Sequence, residues 1–315
     1  MKNYFFKNLE IFVNLENIKD VIKKNLSNSI PFLDDIAQHM MSANQNFSRS
    51  SFLFECAKNF SNPDEKITDI GITLEFLYTA TSLHRHINDV DSSRSKLKYA
   101  ESILGSEASV LIGDYLLSKS FKILTKLGDL EILECVSSVT KNISRAQVME
   151  ISKPTLLVTP KYWYKVIKNK IAGLYGAGAQ SAAHWAKVSN LTALQLFTFG
   201  EHYGIAAQIK KDIDNLWNKK IIYQKLNEQE LWSPICYLLH DCIKNDARVE
   251  IVKKLKKNFD IKETSEEFFA LFKKFELEKK LTHEAMLELK KARSVLEKMK
   301  IDTTKIVPLT IFSNL

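Results

Sequence analysis

Two short segments of the 315-residue chain combine carboxylates with basic side chains at helical spacing. The first reads Arg-His-Ile-Asn-Asp from Arg85 to Asp89, and the second reads Lys-Lys-Asp-Ile-Asp-Asn and begins at Lys210. Side chains four residues apart share one helix face, so Arg85 with Asp89, and Lys210 with Asp214, can form weak ion pairs. Alternatively, the cations can hold an anion directly through charge-assisted hydrogen bonds, and the remaining carboxylates can retain a divalent metal ion.

Four histidines offer a weaker case for a metal site. His84 and His86 are two residues apart and lie on different faces of a helix, which is poor geometry for one ion. We expect His184 and His202 to be packed or exposed rather than to bind metal. The sequence contains no Gly-rich phosphate loop, no Ser-His-Asp pattern and no aromatic-basic motif, so nucleic acid is not an expected partner.

The composition predicts which elements position these residues. Nine glycines and six prolines, with 45% hydrophobic and 26% charged residues, favour long helices around a packed core. The net charge of +8 suggests an anionic partner without choosing its kind. Apolar periodicity predicts one all-α domain over residues 1–315, with helices near 9–26, 32–43, 50–60, 65–90, 95–102, 106–126, 129–151, 161–187, 191–218, 230–244, 247–258, 264–276 and 282–299.

Small residues mark two of these helices. Alanines and glycines crowd the helix near 161–187, and Gly200 and Gly204 repeat the pattern in the next one. Glycine lowers helix stability by about 1 kcal/mol relative to alanine. The pattern therefore predicts a central helix where backbones must approach closely.

Cysteine usage and hydropathy indicate a cytoplasmic protein without a transmembrane segment. The four cysteines lack CxxC spacing and no signal peptide precedes them, which favours buried free thiols. No apolar run reaches the roughly 18 residues that a membrane-spanning helix needs. The Lys- and Glu-rich last fifty residues are interpreted as a solvated basic face over an apolar stripe, with a membrane-surface helix as the alternative.

The most informative stretch is Gly105 to Phe121, a helix start followed by Gly-Asp-aromatic-Leu-Leu. It resembles the trans-isoprenyl diphosphate synthase family, whose other blocks follow in order at fitting distances. Ser82 to Asp89 resembles Leu-Leu-His-Asp-Asp-x-x-Asp, and Lys168 to Tyr175 resembles the Lys-Thr-Ala block. Gly200 to Asn215 resembles Gly-x-x-x-Gly-x-Ala-x-Gln-Ile-x-Asp-Asp-x-x-Asp. The ordered matches cover residues 70–218.

The resemblance implies an isoprenoid synthase-type bundle of antiparallel helices around a central cavity. Two aspartate-rich helix faces oppose each other at its mouth in the family, where carboxylates one turn apart share Mg2+ ions that hold the allylic diphosphate. These ions stabilise the charge that develops as pyrophosphate leaves. The implied ligand is an isoprenyl diphosphate, and the implied cofactor is Mg2+ if any activity remains.

The first aspartate-rich block departs from the family's pattern. Arg85 and His86 stand for its leading two aspartates, and Asp89 alone remains. Downstream, Arg94 matches the first arginine of the family's Arg-Arg-Gly, but Ser95 replaces the second. We therefore expect at most a weak metal site at Asp89, with Arg85 and Arg94 available to an anion.

The second block departs in the same direction. Gln208 fixes the register, so Lys211 stands for the first aspartate, Asp212 for the second and Asn215 for the last. Asp214 occupies a variable position. A site that gathers divalent cations would now repel them, because like charges about 4 Å apart repel by roughly 4 kcal/mol at an effective dielectric constant of 20.

Other positions show an asymmetric loss. Lys170 matches the lysine of the Lys-Thr-Ala block, which contacts the allylic diphosphate in the family. The family's site for its second substrate, isopentenyl diphosphate, keeps at best Arg49. Tyr78 stands where that site usually has a histidine. The resemblance thus yields one set of candidate diphosphate ligands: Arg49, Arg85, Arg94, Lys170, Gln208 and Lys211.

Two functions fit these departures. The favoured one is a non-catalytic family member, either a regulatory subunit of a prenyltransferase or a binder of prenyl diphosphates, and the resemblance implies a homodimer or a heterodimer with an intact prenyl diphosphate synthase. The alternative is an active prenyltransferase or prenyl-diphosphate-processing enzyme with a remodelled metal site. Retained metal ligands would be Asp89, Asp212 or Asp214.

Overall fold

A computed structural model describes residues 9–26, 33–34, 47–85, 98–152, 158–227, 231–241 and 261–299. Only the backbone is described for 9–17, 85, 98–107 and 261–264. Every regular element in these ranges is helical, which confirms the all-α prediction. The helices are α1 (Leu9–Leu26), α2 (Ser48–Lys58), α3 (Glu65–Arg85), α4 (Lys98–Leu127), α5 (Leu130–Ser152), α6 (Pro160–Ile167), a π-helical turn (Lys168–Ala172), α7 (Gly173–Trp185), α8 (Asn190–Asp214), α9 (Lys219–Asn227), α10 (Ser233–Asp241), α11 (Ile261–Lys274) and α12 (Leu277–Lys298).

The main core forms around α3, α7 and α8. Helix α8 packs between α7 and α12, α7 also contacts α2 and α5, and α4 lies along α3. Buried aromatic rings join these elements, because Phe52 of α2 lies 5.4 Å from the ring of Tyr175 and 4.5 Å from the ring of Tyr203. A smaller apolar cluster covers the end of α8 with α9, α10 and α11.

Glycines allow α7 and α8 to approach closely. A Cβ added at Gly200 would lie 2.4 Å from the carbonyl oxygen of Tyr175, and one added at Gly204 would lie 2.7 Å from the Cα of Ala172. No side chain fits such distances without separating the helices. The prediction that small residues serve close packing is therefore confirmed.

Gly113 and Asp114, the Gly-Asp pair of the stretch from Gly105 to Phe121, contact His84 of α3. A Cβ at Gly113 would lie 2.2 Å from Nε2 of His84, so any other residue there would force the imidazole to move. The same nitrogen lies 3.2 Å from Oδ1 of Asp114 and 3.3 Å from the carbonyl oxygen of Val110. This contact fixes the end of α3, whose last residue is Arg85.

Several helix boundaries differ from the predicted ones. The predicted helices 95–102 and 106–126 form one helix, α4, because an internal Gly105 weakens a helix without ending it. Helix α9 was not predicted, although Asn218 caps it by accepting hydrogen bonds from the N–H groups of Lys220 and Ile221. The predicted helix 247–258 and most of 32–43 lie outside the described residues.

The described helices do not include a membrane span: none of them is both long and apolar enough to cross a bilayer.

Candidate functional site

The carboxylate of Asp212 is buried at the end of α8. Its Oδ2 accepts hydrogen bonds from the hydroxyl of Ser233 at 2.5 Å and from the N–H of Ser233 at 3.3 Å, and its Oδ1 accepts one from the amide of Gln208 at 2.8 Å. Burial raises the pKa of Asp212 from 3.8 to about 6, and the hydrogen bonds from Ser233 offset part of that rise. Asp212 thus joins α8 to the start of α10.

The neighbouring residues of the second segment point to the surface. Lys210 forms the ion pair expected from its spacing, with Nζ 2.6 Å from Oδ1 of Asp214. Asn215 donates a hydrogen bond at 2.7 Å to the carbonyl oxygen of Lys211, near the end of the helix. Lys211 itself is exposed, and its charge acts on a tyrosine of α3, described below.

A buried ion pair links α2 to α3. Nη1 of Arg49 lies 2.9 Å from Oε2 of Glu75, and the N–H groups of Arg49 and Ser50 both donate to Oε1 of Glu75 at 3.1 Å. Burial alone would lower the pKa of the guanidinium, but the Glu75 carboxylate reverses that effect and the pKa is raised. Nε of Arg49 is buried without a hydrogen-bond partner among the described residues.

Tyr78 lies at the centre of several positive charges. The guanidinium carbon of Arg49 lies 3.2 Å from the centroid of its ring. The charge of Lys211 lowers the pKa of Tyr78 from 10 to about 8, and together with smaller contributions from Arg49 and Lys225 it outweighs the opposing effects of burial and Glu75. A positive potential that stabilises a phenolate also stabilises other bound anions.

Lys170 lies in the π-helical turn between α6 and α7. Such wide turns interrupt a helix and occur often at functional sites. The ammonium of Lys170 is mostly buried and forms a short ion pair with the carboxylate of Glu150 on α5. Lys170 therefore faces α5, where a ligand would compete with Glu150 for its charge.

The remaining candidate residues are not placed by the structure. Arg85 has a described backbone at the end of α3 but no described side chain, and His86, Asp89 and Arg94 lie outside the described residues. Their proposed roles as anion or metal ligands stay predictions.

Three residues of this site were not singled out from the sequence. Glu75 is the one acid inside the apolar run of α3, and a lone acid in such a run signals a buried partner. Ser233 precedes Pro234 at the start of α10, a common pattern at a helix start. Lys225 of α9 gave no signal, since one more lysine on a short lysine-rich helix is ordinary.

The described residues do not fit the magnesium site that the resemblance implies. Both oxygens of Asp212 accept hydrogen bonds from protein donors, and Asp214 is paired with Lys210. Within the described ranges, no three His, Cys, Asp or Glu side chains come together as metal ligands would. His184 and His202 instead approach carboxylates, with Nδ1 3.0 Å from Glu131 and 2.7 Å from Glu288, respectively.

Comparisons with known sequences give one consistent family. The pattern of the family described as Polyprenyl synthetase matches residues 30–271. The chain is 25% identical over 235 residues to octaprenyl diphosphate synthase of Escherichia coli K12, covering 72% of each chain. It is 26% identical over 241 residues to geranylgeranyl diphosphate synthase of Sulfolobus acidocaldarius, covering 74% of this chain and 70% of the relative.

Solved structures agree on the fold. Decaprenyl diphosphate synthase from Rhodobacter capsulatus superposes with a TM-score of 0.80 at 20% identity, covering 96% of this chain and 95% of that one. Polyprenyl synthase from Caulobacter crescentus, solved with calcium and isoprenyl diphosphate, gives a TM-score of 0.82 at 16% identity, with 96% and 93% covered. The isoprenoid synthase-type fold is thus confirmed. Because the family pattern spans more than half of the sequence, the chain belongs to the polyprenyl synthetase family.

Proposed function

We propose that this protein binds an isoprenyl diphosphate through cationic side chains and does not catalyse chain elongation with the magnesium chemistry of intact family members. The observation that carries this proposal is the burial of the Asp212 carboxylate against protein donors. The carboxylate that keeps its motif position in the second segment is buried against Ser233 and Gln208, and the position before it holds Lys211. A cation therefore stands where the resemblance implies a metal ligand.

The group of charges around Tyr78 supports anion binding. Arg49 contributes a buried Nε without a partner among the described residues, and Lys211 and Lys225 both act on the Tyr78 ring. Guanidinium and ammonium groups bind phosphate oxygens through charge-assisted hydrogen bonds. Arg85 and Arg94 are further candidate ligands.

Two other candidates contribute less directly. Gln208 already donates to Asp212, so we assign it to orienting that carboxylate. Lys170 pairs with Glu150, and a diphosphate must displace or share this carboxylate. Both remain proposed members of the binding site.

Isothermal calorimetry with farnesyl diphosphate in excess EDTA tests metal-free binding. Lys211→Ala should weaken binding about tenfold, which corresponds to the loss of one charge-assisted interaction of about 1.4 kcal/mol. The matched control is Lys210→Ala, which removes the same charge one position earlier from a side chain paired with Asp214. We expect less than about a twofold effect there. Absence of binding by the unmodified chain would contradict the proposed function.

A turnover assay tests the non-catalytic part. The chain is mixed with magnesium, isopentenyl diphosphate and farnesyl diphosphate, and pyrophosphate release and product length are followed. We expect no release above that of a protein-free control. Release that Asp212→Asn abolishes would show that Asp212 still serves catalysis and would reject this part.

An active enzyme with a remodelled metal site is the second candidate function. It is favoured by the names of the relatives, which are prenyl diphosphate synthases. The exposed Asp214, together with Asp89, would then be the retained carboxylates. Magnesium-dependent turnover that Asp214→Asn reduces, and Lys210→Ala does not, would support this candidate.

Assembly and location complete the proposed function. As a non-catalytic member, the protein would act as a homodimer or as the partner of an intact prenyl diphosphate synthase, and copurification with a tagged synthase from the native host tests the second form. A reducing cytoplasm is the proposed compartment, because Cys56, Cys135 and Cys236 are buried free thiols.

A further inference from the structure

Helix α12 turns its apolar side toward the protein. It packs chiefly along α8, and its buried apolar residues are Leu277, Leu281, Ala285, Leu289, Ala292 and Leu296. The apolar stripe predicted for the last fifty residues is therefore covered by protein. Only the opposite side of α12 is open to a partner.

The open side of α12 is strongly basic. At about 100° per residue, its exposed side chains span an arc of about 160°. One acid, Glu297, lies in this arc with six cations that we call the basic face: Lys279, Lys280, Lys290, Lys291, Arg293 and Lys298. Six minus one is an excess of five positive charges over about 28 Å of helix, in a chain whose net charge is +8. Two of the cations, Lys280 and Lys291, approach the carboxylates of Asp241 and Glu288.

The other acids of α12 lie outside the basic face. Glu288 is buried against His202 of α8, and Glu284 is half-buried at the edge of the arc. Lys290 and Arg293 form no ion pair with any residue that the structure describes. A helix face that is merely solvated usually interleaves the two signs of charge. Separation of the signs indicates an anionic partner.

Two apolar side chains lie among these cations. Met286 is 47% exposed and Leu287 is 38% exposed, and both fall within the arc, between Lys280 on one side and Lys290 on the other. The surface of an anionic membrane matches this pattern, because its headgroups attract cations and its acyl boundary accepts apolar side chains. The phosphate backbone of a nucleic acid would leave Met286 and Leu287 without an apolar contact.

We propose that the basic face binds the surface of a membrane that contains anionic lipids, with α12 parallel to the bilayer plane and Met286 and Leu287 at the level of the headgroups. In this orientation the cations lie within about 10 Å of the lipid phosphates, which is the screening distance at 0.1 M salt. The contact is peripheral. It uses side chains outside the group of charges around Tyr78 and does not rest on the proposed function.

Vesicle flotation of the full chain tests this contact. The protein should float with vesicles of equal parts phosphatidylglycerol and phosphatidylcholine and should not float with vesicles of phosphatidylcholine alone. Raising the salt from about 0.1 M to about 1 M should release it, because the screening distance falls to about 3 Å.

Substitutions separate the two parts of the contact. Lys290→Ala with Arg293→Ala should lower the partition coefficient about twentyfold, since each cation near an anionic surface contributes about fivefold. The matched control, Lys122→Ala with Lys126→Ala, removes two exposed charges from α4 and should change it less than about twofold. Met286→Gln with Leu287→Gln keeps the charge and the helix propensity and should lower partitioning about fivefold, because shallow apolar insertion is lost.

Circular dichroism establishes that each variant is folded. The proposal is rejected if the unmodified chain stays off the anionic vesicles, if the α4 control loses as much binding as the α12 variant, or if the glutamine variant binds like the unmodified chain. Retention on heparin without flotation would assign the basic face to a soluble polyanion instead. Farnesyl diphosphate affinity in EDTA should be the same in the α12 variants as in the unmodified chain, so the membrane contact and the diphosphate site can fail independently.

Discussion

Two buried carboxylates, Glu75 on α3 and Asp212 on α8, are stabilised in different ways. Glu75 accepts hydrogen bonds from the guanidinium of Arg49 and from two N–H groups in the first turn of α2. Asp212 accepts hydrogen bonds only from the neutral groups of Ser233 and Gln208 among the described contacts. Burial consequently raises the pKa of Asp212 to about 6. The two sites differ in that a cation is hydrogen-bonded to Glu75, whereas only neutral groups donate to Asp212 among the described contacts.

The comparison bears on the proposed function. Glu75 binds the first turn of α2 and holds Arg49 over the ring of Tyr78, so it organises the group of cations beside that ring. Asp212 joins α8 to α10 and has no oxygen left without a protein donor. Both carboxylates hold helices together, and a metal ion would have to displace protein donors from either of them. Among the described residues, Lys211, Arg49 and Lys225 supply the positive charge that acts on Tyr78.

The largest expected effect comes from removing the charge of Glu75. Glu75→Gln leaves the Arg49 guanidinium buried without its counter-ion and should lower the free energy of unfolding by about 3–5 kcal/mol. Urea denaturation at pH 7 measures this change. The control Glu266→Gln alters an exposed pair with Lys219 and should cost less than about 1 kcal/mol. Equal effects of the two substitutions would contradict the importance of the buried pair.

The second effect is a pH dependence at Asp212. Its folded-state pKa is raised, so the native state binds more protons than the unfolded state between pH 4 and 6, and stability falls as pH rises through that window. The loss should approach about 3 kcal/mol, because one pKa unit corresponds to about 1.4 kcal/mol. Asp212→Asn should abolish this slope and leave the protein more stable than the unmodified chain at pH 8.

Urea denaturation of both proteins from pH 4 to 8 measures the difference. Asp214→Asn is the control, since it removes an exposed carboxylate from the same helix. A slope that persists in Asp212→Asn would show that another group titrates there.

Ser233→Ala should have a smaller effect, because one hydrogen bond to the Asp212 carboxylate is lost. We expect a destabilisation of about 1.5 kcal/mol at pH 8, the lower end of the range for hydrogen bonds to charged groups. The effect should decrease below pH 6 as Asp212 becomes protonated. Double-mutant analysis with Asp212→Asn isolates the pair, and additive effects would mean that the hydroxyl stabilises something else.

The smallest effect concerns Tyr78. Lys211→Ala should raise the pKa of Tyr78 from about 8 toward the ordinary value, because its largest favourable charge is removed. The difference in tyrosinate absorbance between each protein and its Tyr78→Phe counterpart measures this pKa. Lys210→Ala should change it less.

In the unmodified chain, farnesyl diphosphate affinity should fall as pH rises from 7 to 9, since a phenolate then competes with the bound anion. Tyr78→Phe should reduce that fall.

Much of the fold could be predicted from local pattern. Helix α1 begins and ends where the periodicity predicts, and the glycines at 200 and 204 mark a close helix contact. Helix α4 was predicted as two pieces because Gly105 was read as a boundary. Helix α9 was missed, since nine mostly polar residues give little periodic signal.

Less of the candidate site could be predicted. The i, i+4 pair of Lys210 and Asp214 follows from spacing alone and is present. The sequence suggested Asp212 as a metal ligand and Arg49 as a diphosphate ligand, but gave no partner for either. Those assignments stay predictions, and the structure adds the competing contacts that any ligand must displace.

The sequence by itself determined most of the helices and the glycine-lined contact of α7 with α8, because periodicity and backbone sterics are local properties. The replacement of acids by bases stays a prediction from the resemblance. Only the tertiary structure decided which charges meet. Arg49 and Glu75 are 26 residues apart, and Asp212 and Ser233 are 21 apart. Electrostatic and hydrogen-bond energies depend on distances in space and on exclusion of water, and the packing of α2, α3, α8 and α10 sets both.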